Sequence, residues 1–261
     1  MRSPMIKIKS PEEIGIMAEG GRLLAAVLEE LKKKTAAGVS TKELDDLAVS
    51  LIAAAGGRPS FLGEGGYPAT ICVSINDEVV HGVPSPERIV KNGDIVSLDA
   101  GMVYRGFHTD MAVTVAVGEV DPELRRMIKA AKKALKYAIK KARPGNTFGD
   151  VGNTVERYVE SQGFRVVRDL CGHGIGKKLH EDPQILNYGR RHRGPVIKEG
   201  MVFCVEPMIT AGDPEIVLAS DKQAYKIKDG SPAAHWEHTL AVIGGACRVL
   251  TALPGTEDKE G

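Results

Sequence analysis

The chain has 261 residues, 43% of them hydrophobic and 26% charged, and its 35 basic and 34 acidic side chains leave a net charge of +1. That balance suits a globular chain with a large core and offers no charge excess for nucleic acid or a membrane surface. The opening MRSPMIKIKSPEEIG lacks the apolar run of a signal peptide, no stretch approaches the roughly 18 apolar residues that span a bilayer, and four scattered cysteines without a CxxC pair exclude a zinc ribbon and read as reduced thiols.

Pro11-Glu12-Glu13 opens a helical pattern carried by Ile14, Met17, Leu24, Leu28 and Leu31, which stops near Gly38. Ser40 and Thr41 offer an N-cap to a second helix through Leu44, Leu47, Ala48 and Leu51, ended by Gly56-Gly57. Strands are predicted over 69–75, 95–98 and 111–116. The order then recurs. Pro122-Glu123 opens a helix, Pro144-Gly145 stops it, Thr147 caps another through Val151, Val155 and Val159, and Gly163 ends that one. Strands follow over 164–170, 201–206 and 239–243.

Gly38 and Gly145, Gly56 and Gly163, and Gly93 and Gly200 are each 107 residues apart. The last pair lies in KNGDIVSLD (91–99) and KEGMVFCVE (198–206), which end in Asp99 and Glu206 at the same offset. The pattern predicts a single domain built from an internal repeat, about 11–118 and 119–250, as two pseudo-symmetric halves. The expected class is α/β, or α+β, with a central, mostly antiparallel sheet, helices outside, and a ligand cleft where the halves meet.

Within SLDAGMVYRGFHTDMAVTV (97–115) a hairpin with its tip at Tyr104-Arg105 would make Asp99 and Asp110 direct cross-strand partners, Cβ atoms about 4.5–5.5 Å apart. Two carboxylates at about 5 Å repel by roughly 3 kcal/mol at an effective dielectric near 20, and a divalent cation offsets this best because it attracts both. The repeat places Glu206 and Glu237 opposite them, so four carboxylates converge on a metal site. CGHGIGKKLHEDP (171–183) adds His173 and His180 among three glycines, which permit close backbone approach or positive φ. His81 follows a strand in INDEVVHGVP (75–84).

Together GYPATICVSINDEVVHGVP (66–84), GDIVSLDAG (93–101), FHTDMAVT (107–114), CGHGIGKKLHEDPQI (171–185), GMVFCVEPM (200–208) and WEHTLAV (236–242) closely resemble the type I methionine aminopeptidases, over about residues 11 to 250. The resemblance implies the pita-bread (creatinase/aminopeptidase) fold and two divalent ions, Co, Mn or Fe, with Zn also compatible. It implies that Asp99 serves one ion, His173 and Glu206 the other, and that Asp110 and Glu237 bridge both. It makes three residues catalytic: Glu206 takes and returns a proton, His180 donates to the developing oxyanion, and His81 hydrogen-bonds the substrate backbone and shuttles protons. Phe61, Tyr67, Cys72, Leu179 and Trp236 are candidates for the methionine pocket.

The implied activity is removal of the initiator methionine from nascent polypeptides, before a small second residue, by a cytoplasmic monomer. A nascent-chain substrate is compatible with ribosome association; no nucleic-acid or membrane partner is expected. Relatives often carry an aromatic-His pair where Glu64-Gly65 stand and a Trp near Gln223, so the pocket rim differs here. Another enzyme of the same fold, such as a prolidase, and a metal-free binding module are the competing readings.

Overall fold

The computed structural model describes residues 5–253 and 255. In chain order the elements are α1 (Pro11–Lys34), α2 (Thr41–Ala54), β1 (Arg58–Pro59), β2 (Ile71–Ile75), β3 (Glu78–Val80), β4 (Ile95–Tyr104) and β5 (Phe107–Ala116). Then come α3 (Pro122–Lys141), α4 (Phe148–Ser161), β6 (Arg165–Val166), β7 (Cys171–Gly174), β8 (Glu181–Leu186), β9 (Val202–Val205) and β10 (Met208–Thr210). The chain finishes with β11 (Ile216–Leu218), β12 (Tyr225–Ile227), β13 (Ala233–His235), β14 (Glu237–Ile243) and β15 (Ala246–Val249).

Three of the four α-helices among the described residues begin with reciprocal caps. Ser10 with Glu13, Ser40 with Glu43 and Thr147 with Asp150 each exchange a side chain for a backbone N–H, which satisfies donors the helix itself leaves unpaired. Asp121 caps α3, whose first residue is Pro122. The helices lie where the sequence pattern put them. The predicted strand over 164–170 shortens to Arg165–Val166, because its partner β10 has only three residues with which to pair.

A curled antiparallel sheet runs β1-β4-β5-β14-β9-β7-β8, with β2 also on β4 and β15 on β14. Val96, Leu98, Ala100 and Met102 of β4 join one core with helix residues Leu24, Leu28, Leu44, Leu135 and Val151. Asp99 lies on the opposite face, as strand alternation requires. That face is buried too, so β4 reads as a nearly continuous apolar run. β5 and β14 meet at the middle of the sheet, Glu237 opposite Ala112. Isolated bridges Ser40–Ile89 and Thr147–Val196 hold the starts of α2 and α4, and each residue of the second lies 107 after its counterpart. Among the described residues no helix is long and apolar enough to cross a membrane, and the four cysteines are unpaired.

The β4–β5 hairpin corrects the predicted register. Its two-residue turn is Arg105-Gly106, both with positive φ, closed by Tyr104 opposite Phe107. Such turns match the twist of paired strands and favour glycine second, which sets the tip one residue later than Tyr104-Arg105. Asp99 therefore faces Ala112 and Asp110 faces Gly101. The two aspartates are diagonal neighbours rather than direct partners. They keep to one face because the shift moves Asp99's partner by two residues.

Candidate metal centre

The polar face of the central strands converges on a cavity of about 980 Å³. Asp99 comes from the middle of β4, Asp110 from β5, Glu206 from the residue just after β9 and Glu237 from the start of β14. All four are buried, Glu237 to 2% exposure. Asp110 is held through its backbone, whose N–H donates to Thr239 Oγ1 and whose carbonyl accepts from it, both at 2.8 Å. Asp99, Asp110 and Glu237 present oxygens within 4.8 Å of one another, and His173, Cys204 and Glu237 form a second such group.

His173 enters from β7. Its Nδ1 lies 3.0 Å from the Gly174 carbonyl, a donor geometry that leaves Nε2 unprotonated and facing Glu206 Oε1 at 3.7 Å and Asp110 Oδ2 at 4.0 Å. The flanking glycines serve close approach, not positive φ. A Cβ on Gly172 would sit 2.3 Å from the Cys204 carbonyl oxygen, and one on Gly174 would sit 2.1 Å from that of Asp182. Gly174→Ala is expected to cost about 1–3 kcal/mol of stability in urea denaturation, as overpacking against immovable backbone does.

The charges in this cavity do not balance. Burial, reinforced by the neighbouring carboxylates, pushes Asp110, Glu206 and Glu237 well above the usual carboxylate range, and burial raises Asp99 to about 7. The ion-pair partners of Asp110, Glu206 and Glu237 among the described residues are histidines. Burial keeps both neutral, lowering His173 to about 4 and His235 to about 3. Asp99 Oδ1 and Glu237 Oε1 have no hydrogen-bond partner. A divalent cation supplies what is missing: positive charge and partners for oxygens that nothing else satisfies. The donor set therefore fits a metal.

The predicted substrate residues also surround this cavity, with one exception. Phe61, Tyr67, Cys72 and Leu179 line it and belong to one apolar cluster. Cys72 is there because it pairs with Asp99 across β2 and β4. Tyr67 is fixed by its hydroxyl, which lies 3.0 Å from the carbonyls of both Ile71 and Gly82. Trp236 is the exception. It lies between His235 and Glu237, so extended backbone turns it to the other face, into the helix-side core with Lys132 Nζ over its ring at 4.7 Å.

His180 and His81 stand at the rim. The His180 ring meets that of His173 edge-on at 4.5 Å, and its Nδ1 lies 3.8 Å from Glu64 Oε1. His81 sits between Tyr67 and Tyr225, with a backbone φ of 60° that is unusual outside glycine. Removal from water lowers the pKa of both rings. Met208, Leu218 and His235 also line the cavity and were not expected there. His235 had an available signal: it precedes Glu237 by two residues in extended chain, so both share a face.

Comparison with known proteins identifies the family. The sequence profile of metallopeptidase family M24 matches residues 15–243. A methionine aminopeptidase of Clostridium acetobutylicum is 43% identical over 247 residues, covering 95% of this chain and 99% of that one. The crystal structure of a methionine aminopeptidase from Thermotoga maritima superposes with a TM-score of 0.93 at 42% identity, covering 95% and 99% of the two chains. A prolidase from Pyrococcus furiosus shares the fold alone, with a TM-score of 0.75 at 24% identity over 94% of this chain and 65% of that one. The architecture is the pita-bread fold, and the chain belongs to metallopeptidase family M24 as a member of its methionine aminopeptidases.

Proposed function

We propose that Asp99, Asp110, His173, Glu206 and Glu237 hold two divalent ions, with Asp110 and Glu237 between them. The chain is a metal-dependent methionine aminopeptidase, a hydrolase acting on nascent-chain N-termini. The observation that carries the centre is the burial of four carboxylates on one cavity wall, where the ion-pair partners of Asp110, Glu206 and Glu237 among the described residues are two buried histidines. When bound, the ions supply Lewis acidity and lower the pKa of water. Mn, Fe and Co suit the mostly oxygen donor set, and Zn is compatible with it.

The chain's own residues do the rest. Glu206, on the cavity wall, accepts a proton from the attacking water and delivers it to the departing amine. His180 donates a hydrogen bond to the oxygen that gains charge, and His81 binds the substrate backbone. Phe61, Tyr67, Cys72 and Leu179 receive the methionine side chain in their apolar cluster. His180→Ala is expected to lower kcat by about 10²–10³-fold with KM little changed, as loss of an oxyanion donor does. Steady-state kinetics on a Met-Ala-Ser peptide checks this.

The repeated units at about 11–118 and 119–250 form a single catalytic domain under this reading. It acts as a cytoplasmic monomer, prefers a small second residue, and meets its substrates near the ribosome. Turnover of Met-Ala-Ser against Xaa-Pro peptides, after chelation and separate add-back of Mn, Fe, Co and Zn, tests it. Metal-dependent release of methionine is expected. Cleavage confined to Xaa-Pro peptides, or full activity in excess chelator, contradicts it.

A further inference from the structure

His235 turns into the same cavity, and the five-residue ligand set gives it no task. Its side chain is 2% exposed, and neither Nδ1 nor Nε2 has a hydrogen-bond partner. Buried polar atoms are rarely left so unless something absent from the protein itself meets them. The backbone that carries the ring is fixed. The His235 carbonyl accepts from Thr114 Oγ1 at 2.8 Å, its N–H donates to the same oxygen at 2.9 Å, and β13 pairs it with Met208.

The ring points between two of the carboxylates. Nε2 lies 3.6 Å from Glu206 Oε2 and 3.8 Å from Glu237 Oε2. Those separations are too long for good hydrogen bonds. They suit donors that share an ion, because two atoms each about 2.1 Å from one cation lie up to about 4.2 Å apart. Ligand atoms of Glu206, His235 and Glu237 all fall within 4.8 Å of one another. His173 Nε2 approaches the other Glu206 oxygen, Oε1, at 3.7 Å, so this carboxylate has an imidazole on each side.

We propose that His235 is a direct nitrogen ligand of the divalent cation held by Glu206 and Glu237, so that the centre as a whole carries two imidazoles, His173 and His235. The inference rests on the metal-centre reading above and adds a sixth side chain to it. An imidazole nitrogen there shifts this position towards Fe, Co or Zn relative to Mn, whose preference is for oxygen.

Pulsed electron paramagnetic resonance of the Mn(II)-loaded wild-type chain counts the imidazole nitrogens on the ions, and calorimetric Mn and Co titrations compare it with His235→Gln and His235→Ala. Two distinct imidazole couplings are expected in the wild type and one in His235→Gln. The affinity of one of the two ions should fall by at least about 100-fold, the upper range for losing even an indirect partner, and more for Co than for Mn. A wild-type chain that binds its ions with one imidazole coupling, or variants within about threefold of wild-type affinity, overturns the ligand role and leaves the centre standing. A wild-type chain that binds no ion overturns both. If the variants do not fold, the nitrogen count on the wild type decides alone.

Discussion

Asp110→Asn is expected to lower turnover of a Met-Ala-Ser peptide by at least about 10³-fold and to release bound metal. Asp110 presents an oxygen within 4.8 Å of those of Asp99 and Glu237, and under the proposed centre it is a shared ligand of both ions. An amide offers a neutral oxygen where the cations need charge, and the several kcal/mol of transition-state stabilisation supplied by metal convert to that rate loss. The backbone bonds of residue 110 to Thr239 are unaffected by the change, so the fold should survive. Steady-state kinetics and metal analysis of the same sample check both halves. A variant with near-normal turnover and full metal content refutes the bridging role.

The metal-free chain should lose stability as pH rises from about 4 to about 7, and divalent cation should restore it. The sign follows from the carboxylates. Asp99 has a folded pKa of about 7 against an ordinary value of 3.8, so its folded form prefers the protonated state. Its contribution is fully present below the unfolded pKa and is lost as pH climbs through the folded one. Asp110, Glu206 and Glu237 shift in the same direction. Each proton that the folded state retains and the unfolded state does not gives a slope of about 1.4 kcal/mol per pH unit. His173 and His235, held at about 4 and about 3, work in the opposite sense below about pH 6.5, so the net fall is set by the four carboxylates less these two rings and steepens as pH nears 7. Urea denaturation of chelated protein at pH 5, 6 and 7, with and without added Mn, measures it. Asp99→Asn should flatten the metal-free profile. A metal-free stability that rises over this window contradicts the charge imbalance described for the cavity.

Much of this site is legible in the sequence because strand alternation and glycine punctuation are local rules. Asp99 ends an apolar run whose alternate residues form the helix-side core, so its own face was fixed by Val96 and Leu98. The turn was harder. Placing the tip at Tyr104-Arg105 gives no weight to Gly106, whose positive φ sets the register and makes the aspartates diagonal. Trp236 misled for a different reason. Its motif neighbours are ligands, but a residue between two inward-facing side chains of extended chain must face outward. The same rule identifies His235 once Glu237 is taken as inward. Met208 and Leu218 reach the cavity through long-range folding of the β10 and β11 segments, for which no local pattern exists.

Anomalous scattering from crystals grown with Mn tests the central claim most directly. Two peaks are expected in the cavity bounded by the side chains of Asp99, Asp110, Glu206 and Glu237. A cavity with no anomalous peak, in crystals that show Mn elsewhere, would contradict the account.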